Sequence, residues 1–295
     1  MSGSFRQPVH QWRFSLWILP FLFVAVGLLL TGALRAAADA PAETKAGERQ
    51  ADDDETELQQ AARKMAEGIK LAAVADGKHQ QLEMLKQPVL RFGDIPRAND
   101  KGSVWIWHQT GRPQAIMELY RSVDSRSWVY VIHSLSADAL DGDFGEPAPR
   151  WTPTAGGVTW NTLAAAQPPA ERPAARARQL KELAQKFAAH EFWDPNNSRH
   201  ELRLLVQPVQ KYNDPEHGLL DGALFLLCHE TNPEVALLIE AVQADGEAKF
   251  RYALARLGHA ELHVAIDEKE VWRQERIAET KPTAPYWLYF RENNP

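Results

Sequence analysis

The chain has 295 residues, with 33 Lys and Arg against 39 Asp and Glu, and a single cysteine. The net charge of −6 argues against a general nucleic-acid binder, because phosphate contacts need a basic face, and one cysteine can form neither an internal disulfide nor a thiolate zinc site. A hydrophobic content of 44 % and a charged content of 24 % argue against wholesale disorder, and the length allows one large domain or two small ones.

Residues 1–38 have the pattern of an export signal. Two arginines precede an uncharged apolar run over residues 14–34, and Ala36 and Ala38 provide the small-x-small pattern of a signal-peptidase site. The run is long for a cleaved signal, since as a helix it would extend about 32 Å and a bilayer core is about 30 Å thick. We therefore expect a signal peptide or an N-terminal membrane anchor. Either places the rest of the chain outside the cytoplasm, in the periplasm, secreted or anchored.

The exported part begins with residues 39–55, which end in four consecutive acidic residues and predict a disordered acidic tether. Residues 56–136 then begin with an amphipathic helix and continue with strands, among which Thr110-Gly111-Arg112-Pro113 predicts a hairpin turn. Residues 137–173 are rich in Pro and Gly and predict a long connection. A second amphipathic helix and further strands occupy residues 174–295.

The two helix-and-strand segments resemble each other. With an offset of 120 and no gap, residues 82–121 align with residues 202–241, and eight of the 40 pairs are identical. We expect an internal duplication that produces an α+β fold with two related helix-plus-antiparallel-meander halves. Chance similarity between β-rich segments is the competing explanation.

Several short segments carry a further pattern. They are Leu220–Phe225 (LDGALF), Thr231–Ala241 (TNPEVALLIEA), Gly111-Arg112-Pro113, His133-Ser134-Leu135-Ser136 and Tyr252–Arg256. With these motifs the chain resembles, over most of residues 82–275, a family of uncharacterised exported proteins common in planctomycete bacteria. That family has no assigned activity or fold, so the resemblance implies export and carries over no catalytic residue.

His259, Glu261 and His263 are the sharpest candidate for a metal site. On a strand, residues at this spacing share one face, and two imidazoles with a carboxylate are a ligand set of open catalytic sites. The spacing is not that of the helical His-Glu-x-x-His motif. A solvated sheet face would carry the same residues without a metal, so both interpretations remain open.

Trp105 and Trp107 share one face of a predicted strand, and Phe225 matches Trp105 in the second segment. Aromatic pairs of this kind can stack on sugar rings, so these three residues are candidates for a ligand-binding surface in a cleft between the halves. Val104 and Ile106 make the opposite face apolar as well, and a strand apolar on both faces is usually buried. Core packing is therefore the alternative to a ligand platform.

Other reactive residue types have plainer explanations. Cys228 and His229 are neighbours on a strand and point to opposite faces, which predicts a buried, inert thiol. Glu118 and Glu240 each interrupt an apolar strand but do not align with each other, so paired-carboxylate catalysis has no support. The sequence contains no P-loop, no Gly-x-Ser-x-Gly elbow and no thiolate zinc spacing.

These observations predict an extracytoplasmic binding or interaction protein without catalytic activity, without a cofactor and without a nucleic-acid partner. Its partner would be a protein or a glycan, and it would contact a membrane only through residues 14–34 if the leader is uncleaved. The alternative is an exported hydrolase, metal-dependent or not, with a site near His259, Glu261 and His263 to which His133 would contribute. A third reading is an envelope protein that only packs against other proteins.

Overall fold

Strands make up most of the described chain. The computed structural model describes residues 56–94, 100–244 and 246–292, so the predicted leader and tether lie outside the described residues. Helix α1 spans residues 56–67, helix α2 spans Pro173–Ala184, and a short 3-10 helix spans Pro215–His217.

The strands before the connection are β1 Lys70–Ala75, β2 Lys78–Gln81, β3 Glu83–Met84, β4 Leu90–Asp94, β5 Asp100–Gln109, β6 Arg112–Arg121, β7 Trp128–Ser134 and β8 Ala139–Asp143. Those that follow are β9 Asn161–Thr162, β10 Phe187–Phe192, β11 Arg199–Leu204, β12 Gln210–Asp214, β13 Leu219–His229, β14 Asn232–Ala244, β15 Glu247–Arg256, β16 Glu261–Ile266, β17 Lys269–Gln274 and β18 Tyr286–Arg291. Below, "first half" means α1 with β1–β8, and "second half" means α2 with β10–β17.

Three antiparallel sheets contain these strands. The first sheet has the order β18-β7-β6-β5-β3, with β4 also paired to β5, and the small sheet has the order β2-β1-β8. The second sheet has the order β17-β16-β10-β11-β13-β14-β15-β9, with β12 also paired to β13. The hairpin predicted at residues 110–113 is confirmed: Gln109 pairs with Arg112, and Thr110 and Gly111 both have positive φ, as a two-residue type I′ turn requires.

The expected α+β class with helix-plus-meander halves is wrong, because the described residues are mainly strand, in large antiparallel sheets, with only two α-helices among them. The first helix is predicted from apolar residues at helical spacing, Leu58, Ala62, Met65, Ile69 and Ala72, but helix α1 ends at residue 67. Ile69 is buried just before β1 and Ala72 is buried within it. In the same way Phe187, which continues the apolar spacing of Leu180 and Leu183 in α2, is buried in β10. A short run of apolar residues is compatible with a helix face and with a buried strand. The spacing of the apolar residues therefore does not show where the helix ends and the strand begins.

Strand pairing repeats between the halves in the same register. Phe92 pairs with Gly102 as Tyr212 pairs with Gly222, at an offset of 120. The β5–β6 bulge after Trp107 recurs after Leu227 between β13 and β14. The offset between equivalent residues is 118 before this region and 122 after it. Ala72 pairs with Asp141 between β1 and β8, and the equivalent residues His190 and His263 pair between β10 and β16. These registers define equivalent positions in the two halves.

An apolar layer joins the two large sheets face to face. Val104 and Ile106 of β5 lie in one buried cluster with Leu224, Leu226 and Cys228 of β13. The predicted burial of Cys228 is confirmed, and burial raises the pKa of its thiol. On the outer faces, α1 packs on the first sheet and α2 on the second, so the order of layers is helix, sheet, sheet, helix.

A buried ion-pair network holds the connection between the halves. The Glu240 carboxylate is fully buried and accepts hydrogen bonds from Arg112 Nε at 2.9 Å, Arg251 Nη2 at 2.7 Å and the Tyr212 hydroxyl at 3.2 Å. The Trp160 ring of the connection lies against both guanidinium groups, with 4.4 Å from Arg251 Cζ to the ring centroid. Arg112 belongs to the first sheet and Glu240 to the second, so this contact crosses the layer between them.

Glu240→Gln should lower the free energy of unfolding by about 2 to 4 kcal/mol, because it leaves two guanidinium groups without their buried carboxylate. Urea unfolding followed by circular dichroism measures this. The control is Glu247→Gln, at an exposed position of the same sheet, which should change stability by less than about 0.5 kcal/mol. Equal stability of the two variants would contradict a structural role for the network.

Gly102→Ala and Gly222→Ala should each destabilise the fold by about 1 to 3 kcal/mol, because an aromatic ring of the neighbouring strand covers each glycine. A Cβ at Gly102 would lie 2.5 Å from Phe92 Cζ, and one at Gly222 would collide with the Tyr212 ring. Thermal unfolding of the two variants checks this. Gly68→Ala, where the added Cβ meets only backbone oxygens at 3.3 Å or more, is the control and should be nearly neutral.

Candidate functional site

A pocket of about 420 Å³ lies between helix α1 and the outer face of the first sheet. Leu58 and Ala62 of the helix and Trp105, Leu119 and Trp128 of the sheet form its apolar walls. Ligand pockets usually have volumes of about 300 to 1,000 Å³, so the space is large enough for a small organic molecule. Trp105 is thereby placed in the wall of a pocket, although only about 1 % of its surface is exposed.

Polar groups in the wall are arranged along β5. Lys101, Ser103 and Trp105 all lie on the face of β5 that is directed toward α1, because residues two apart on a strand share a face. The Trp105 indole Nε1 donates to Ser103 Oγ at 2.9 Å, which satisfies this buried donor. The face therefore changes from charged at Lys101 to apolar at Trp105.

The charged lining residues of the pocket are all basic within the described part of the chain: Arg63, Arg91 and Lys101. Arg63 Nε contacts Glu67 Oε1 at 2.8 Å on the helix surface, which partly neutralises it. Arg91 is exposed and forms no ion pair with another described residue. The charged side chains of the pocket wall are therefore basic, and one of them, Arg63, is paired on the helix surface.

The second half fills the equivalent space with an ion pair. Helix positions 58, 62 and 66 correspond to Arg176, Leu180 and Ala184 at the offset of 118, and all three of the latter are buried. Arg176 Nε lies 2.5 Å from Asp221 Oδ2, and its Nη1 donates to the Ala170 and Glu171 carbonyls. Asp221 occupies the position of Lys101. An Arg–Asp pair thus ties α2 to its sheet where the first half has Leu58 and Lys101.

The three aromatic residues predicted to bind a ligand do not meet in a cleft between the halves. Trp105 and Trp107 are buried under α1, and only Trp105 lines the pocket. Phe225 is fully buried under α2, on the far side of the apolar layer. The sequence does not identify the other pocket residues as parts of a site. Leu58 has the pattern of an ordinary helix face and Trp128 that of a core strand, and the basic lining residues have the pattern of solvated charges.

The candidate metal residues are only partly brought together. His263 Nε2 lies 3.0 Å from Glu261 Oε1, and its Nδ1 lies 2.6 Å from Glu270 Oε2. These hydrogen bonds to His263 hold the pKa of both carboxyl groups below the usual value. His259 is exposed in the turn before β16, which begins only at Glu261, so strand alternation does not extend to it. No group of three His, Cys, Asp or Glu side chains within residues 56–94, 100–244 and 246–292 is arranged to hold a metal ion.

His259 instead lines a small acidic cavity of about 80 Å³ between the halves. Asp94, Glu118 and Glu234 share its wall, and Asn232 Nδ2 bridges Asp94 Oδ2 at 3.1 Å and Glu234 Oε1 at 3.0 Å. The cavity is far smaller than the pockets that hold organic substrates.

His133 is buried beside the connection, with its Nε2 3.0 Å from the Gly157 carbonyl oxygen. Burial lowers its pKa to about 4, so the imidazole is neutral in the folded protein at neutral pH. The surroundings are those of a structural hydrogen bond, with the Tyr286 ring centroid 5.9 Å away.

His133 should make the protein less stable in acid. The unfolded state takes up a proton near pH 6.5 and the folded state only near pH 4, so the contribution is present above pH 6.5 and lost as the pH falls. Between pH 7 and pH 5 it should lower the free energy of unfolding by about 2 kcal/mol. Urea unfolding at both pH values should show a smaller loss in His133→Gln. His79→Gln, at a largely exposed site, should retain the wild-type loss.

Comparison with protein-family models, with curated proteins and with solved structures found no match. The resemblance to exported planctomycete proteins therefore stays a prediction. None of the helices in the described residues is long and apolar enough to cross a membrane, and the predicted apolar leader lies outside that part of the chain.

Proposed function

We propose that this is an extracytoplasmic binding protein that holds a small, largely apolar ligand in the pocket under helix α1. The observation that carries the proposal is a difference between the halves at two positions that the strand registers make equivalent. Leu58 and Lys101 leave a pocket in the first half, where Arg176 and Asp221 form a partly buried ion pair in the second. The apolar run and small-x-small site of the leader support a location outside the cytoplasm.

The pocket wall suits binding and orientation. Its interior offers aromatic and aliphatic surface, and burying apolar ligand surface there contributes about 25 cal/mol per Å². The Ser103 hydroxyl is engaged with Trp105 and with the Leu119 carbonyl, so it serves to hold the wall in place. The hydrolase alternative has weaker support, because His263 and the two glutamates bonded to it lie outside this pocket.

Copying the ion pair into the first half should close the pocket. The double variant Leu58→Arg with Lys101→Asp should bind a neutral apolar dye, N-phenyl-1-naphthylamine, at least about tenfold more weakly than wild type. Dye fluorescence measures binding, and circular dichroism with thermal unfolding establishes that the variant is folded.

The matched control makes the reverse exchange in the second half. Arg176→Leu with Asp221→Lys leaves the first pocket unchanged, so it should retain at least the wild-type dye binding. A folded Leu58→Arg, Lys101→Asp variant that binds the dye like wild type would show that the pocket is not the binding site.

A further inference from the structure

We infer that the ligand is an elongated, unbranched apolar chain that extends from the pocket under α1, across Trp128, into a second cavity at the other end of the helix. This inference rests on the proposed function, and it adds the shape and the chemical class of the ligand. It follows from two cavities that have one aromatic residue in common.

The second cavity has a volume of about 560 Å³ and lies beside the C-terminal end of α1 and the edge strand β18. Its apolar wall consists of Met65, Trp128, Pro147, Tyr289 and Phe290. Trp128 also lines the pocket under α1, and Met65 lies about one helical turn after Ala62 of that pocket. The two spaces therefore adjoin at Trp128, below one helix.

The strand register places Trp128 within a line of paired residues that crosses the first sheet. From β4 to β18, these residues are Gly93, Lys101, Arg121, Trp128 and Arg291. Neighbouring strands are about 4.8 Å apart, so the line is about 19 Å long. Its β4 and β5 end lines the first pocket, and its β18 end lines the second cavity. The combined space is therefore elongated across the strands.

Apolar side chains at both ends of this space are incompletely covered by the protein. Leu58 of the first pocket is partly buried, as are Met65 and Tyr289 of the second cavity. Phe290, also of the second cavity, is 54 % exposed. A chain of methylene groups would cover these surfaces, and each methylene removed from water strengthens binding by up to about fourfold.

The second cavity carries charged side chains of both signs, so it does not select a charged ligand. The charged lining residues are Glu146, Arg291 and Glu292. Arg291 is engaged by the protein, because its Nη2 donates to the Glu146 carbonyl oxygen and its Nη1 to the Tyr130 hydroxyl at 3.5 Å. A neutral end group is therefore sufficient, and the apolar length of the ligand decides its affinity.

The second half provides the internal comparison. Leu183 occupies the position of Met65 at the offset of 118 and lines a cavity of about 240 Å³ at the C-terminal end of α2. At the other end of α2, the ion pair of Arg176 with Asp221 occupies the space that is open under α1. Phe250, at the position of Trp128, is buried in the core below α2. The extended space below a helix is therefore a feature of the first half.

Competition with a bound dye separates a long site from a compact one. Dodecan-1-ol and cyclododecanol each contain twelve carbon atoms and one hydroxyl group, but the first is an extended chain and the second is a compact ring. Each is titrated against N-phenyl-1-naphthylamine bound to the full-length protein. Dodecan-1-ol should displace half of the dye at a concentration at least about tenfold lower than cyclododecanol. Similar concentrations for the two alcohols would overturn the elongated site.

A variant locates the far end of the chain. Met65→Glu places a charge in the second cavity, so it should weaken competition by dodecan-1-ol at least about tenfold. Hexan-1-ol is short enough for the first pocket alone, so its competition should change by less than about twofold. Lys64→Glu places the same residue at the exposed neighbouring position of α1 and should leave both alcohols as in wild type.

The outcomes of the variant are read on protein that circular dichroism shows to be folded. If Met65→Glu weakens both alcohols equally, or weakens neither, extension into the second cavity is overturned. The comparison of the two twelve-carbon alcohols needs no variant, so it decides the question even if Met65→Glu fails to fold.

Failure of this inference can be told apart from failure of the proposed function. If cyclododecanol competes as well as dodecan-1-ol while Leu58→Arg with Lys101→Asp abolishes dye binding, the ligand is compact and the binding function stands. Dye binding that survives Leu58→Arg with Lys101→Asp, with no competition from any of the alcohols, would overturn the proposed function and this inference together.

Discussion

The apolar layer between the two large sheets is the contact on which the rest of the structure depends. β5 and β13 are apolar on both faces, so one face of each sheet is buried against the other sheet and the second face needs another cover. The helices provide that cover. Because the inner faces are closed by sheet-on-sheet packing, an internal space large enough for a ligand arises where a helix meets an outer face.

The fit of each helix is decided by a small number of side chains. Under α2, the Arg176 guanidinium binds the Asp221 carboxylate and the two backbone carbonyls that precede the helix. These polar contacts occupy the space between helix and sheet beside the apolar contacts of Leu180. Under α1, Leu58 is too short and apolar to make those bonds, and Trp105 and Trp128 are left as the walls of a pocket. One backbone arrangement therefore accommodates both a closed core and an open site.

Features that depend on residues close together along the chain could be predicted from the sequence. Features that depend on contacts between residues far apart along the chain could not. The hairpin at Thr110-Gly111 and the buried thiol of Cys228 follow from turn chemistry and strand alternation. The sequence predicts too large a share of helix, because the apolar helical spacing of α1 continues through Ile69 and Ala72 into β1. The pocket could not be predicted, because Arg63, Arg91 and Lys101 each resemble an ordinary solvated charge in the sequence. They line one pocket only because β4 pairs with β5 and α1 packs on the sheet.

The Glu240 network has a consequence for the integrity of the molecule. Its arginines come from both sheets, and together with the apolar layer it joins the halves without relying on the covalent chain between them. A single proteolytic cut within residues 145–157, much of which is exposed, would therefore leave both parts attached to each other. Such a nicked protein would migrate as two fragments in a denaturing gel but as one particle in solution. At the proposed extracytoplasmic location, a protein held together in this way would keep its fold after such a cut.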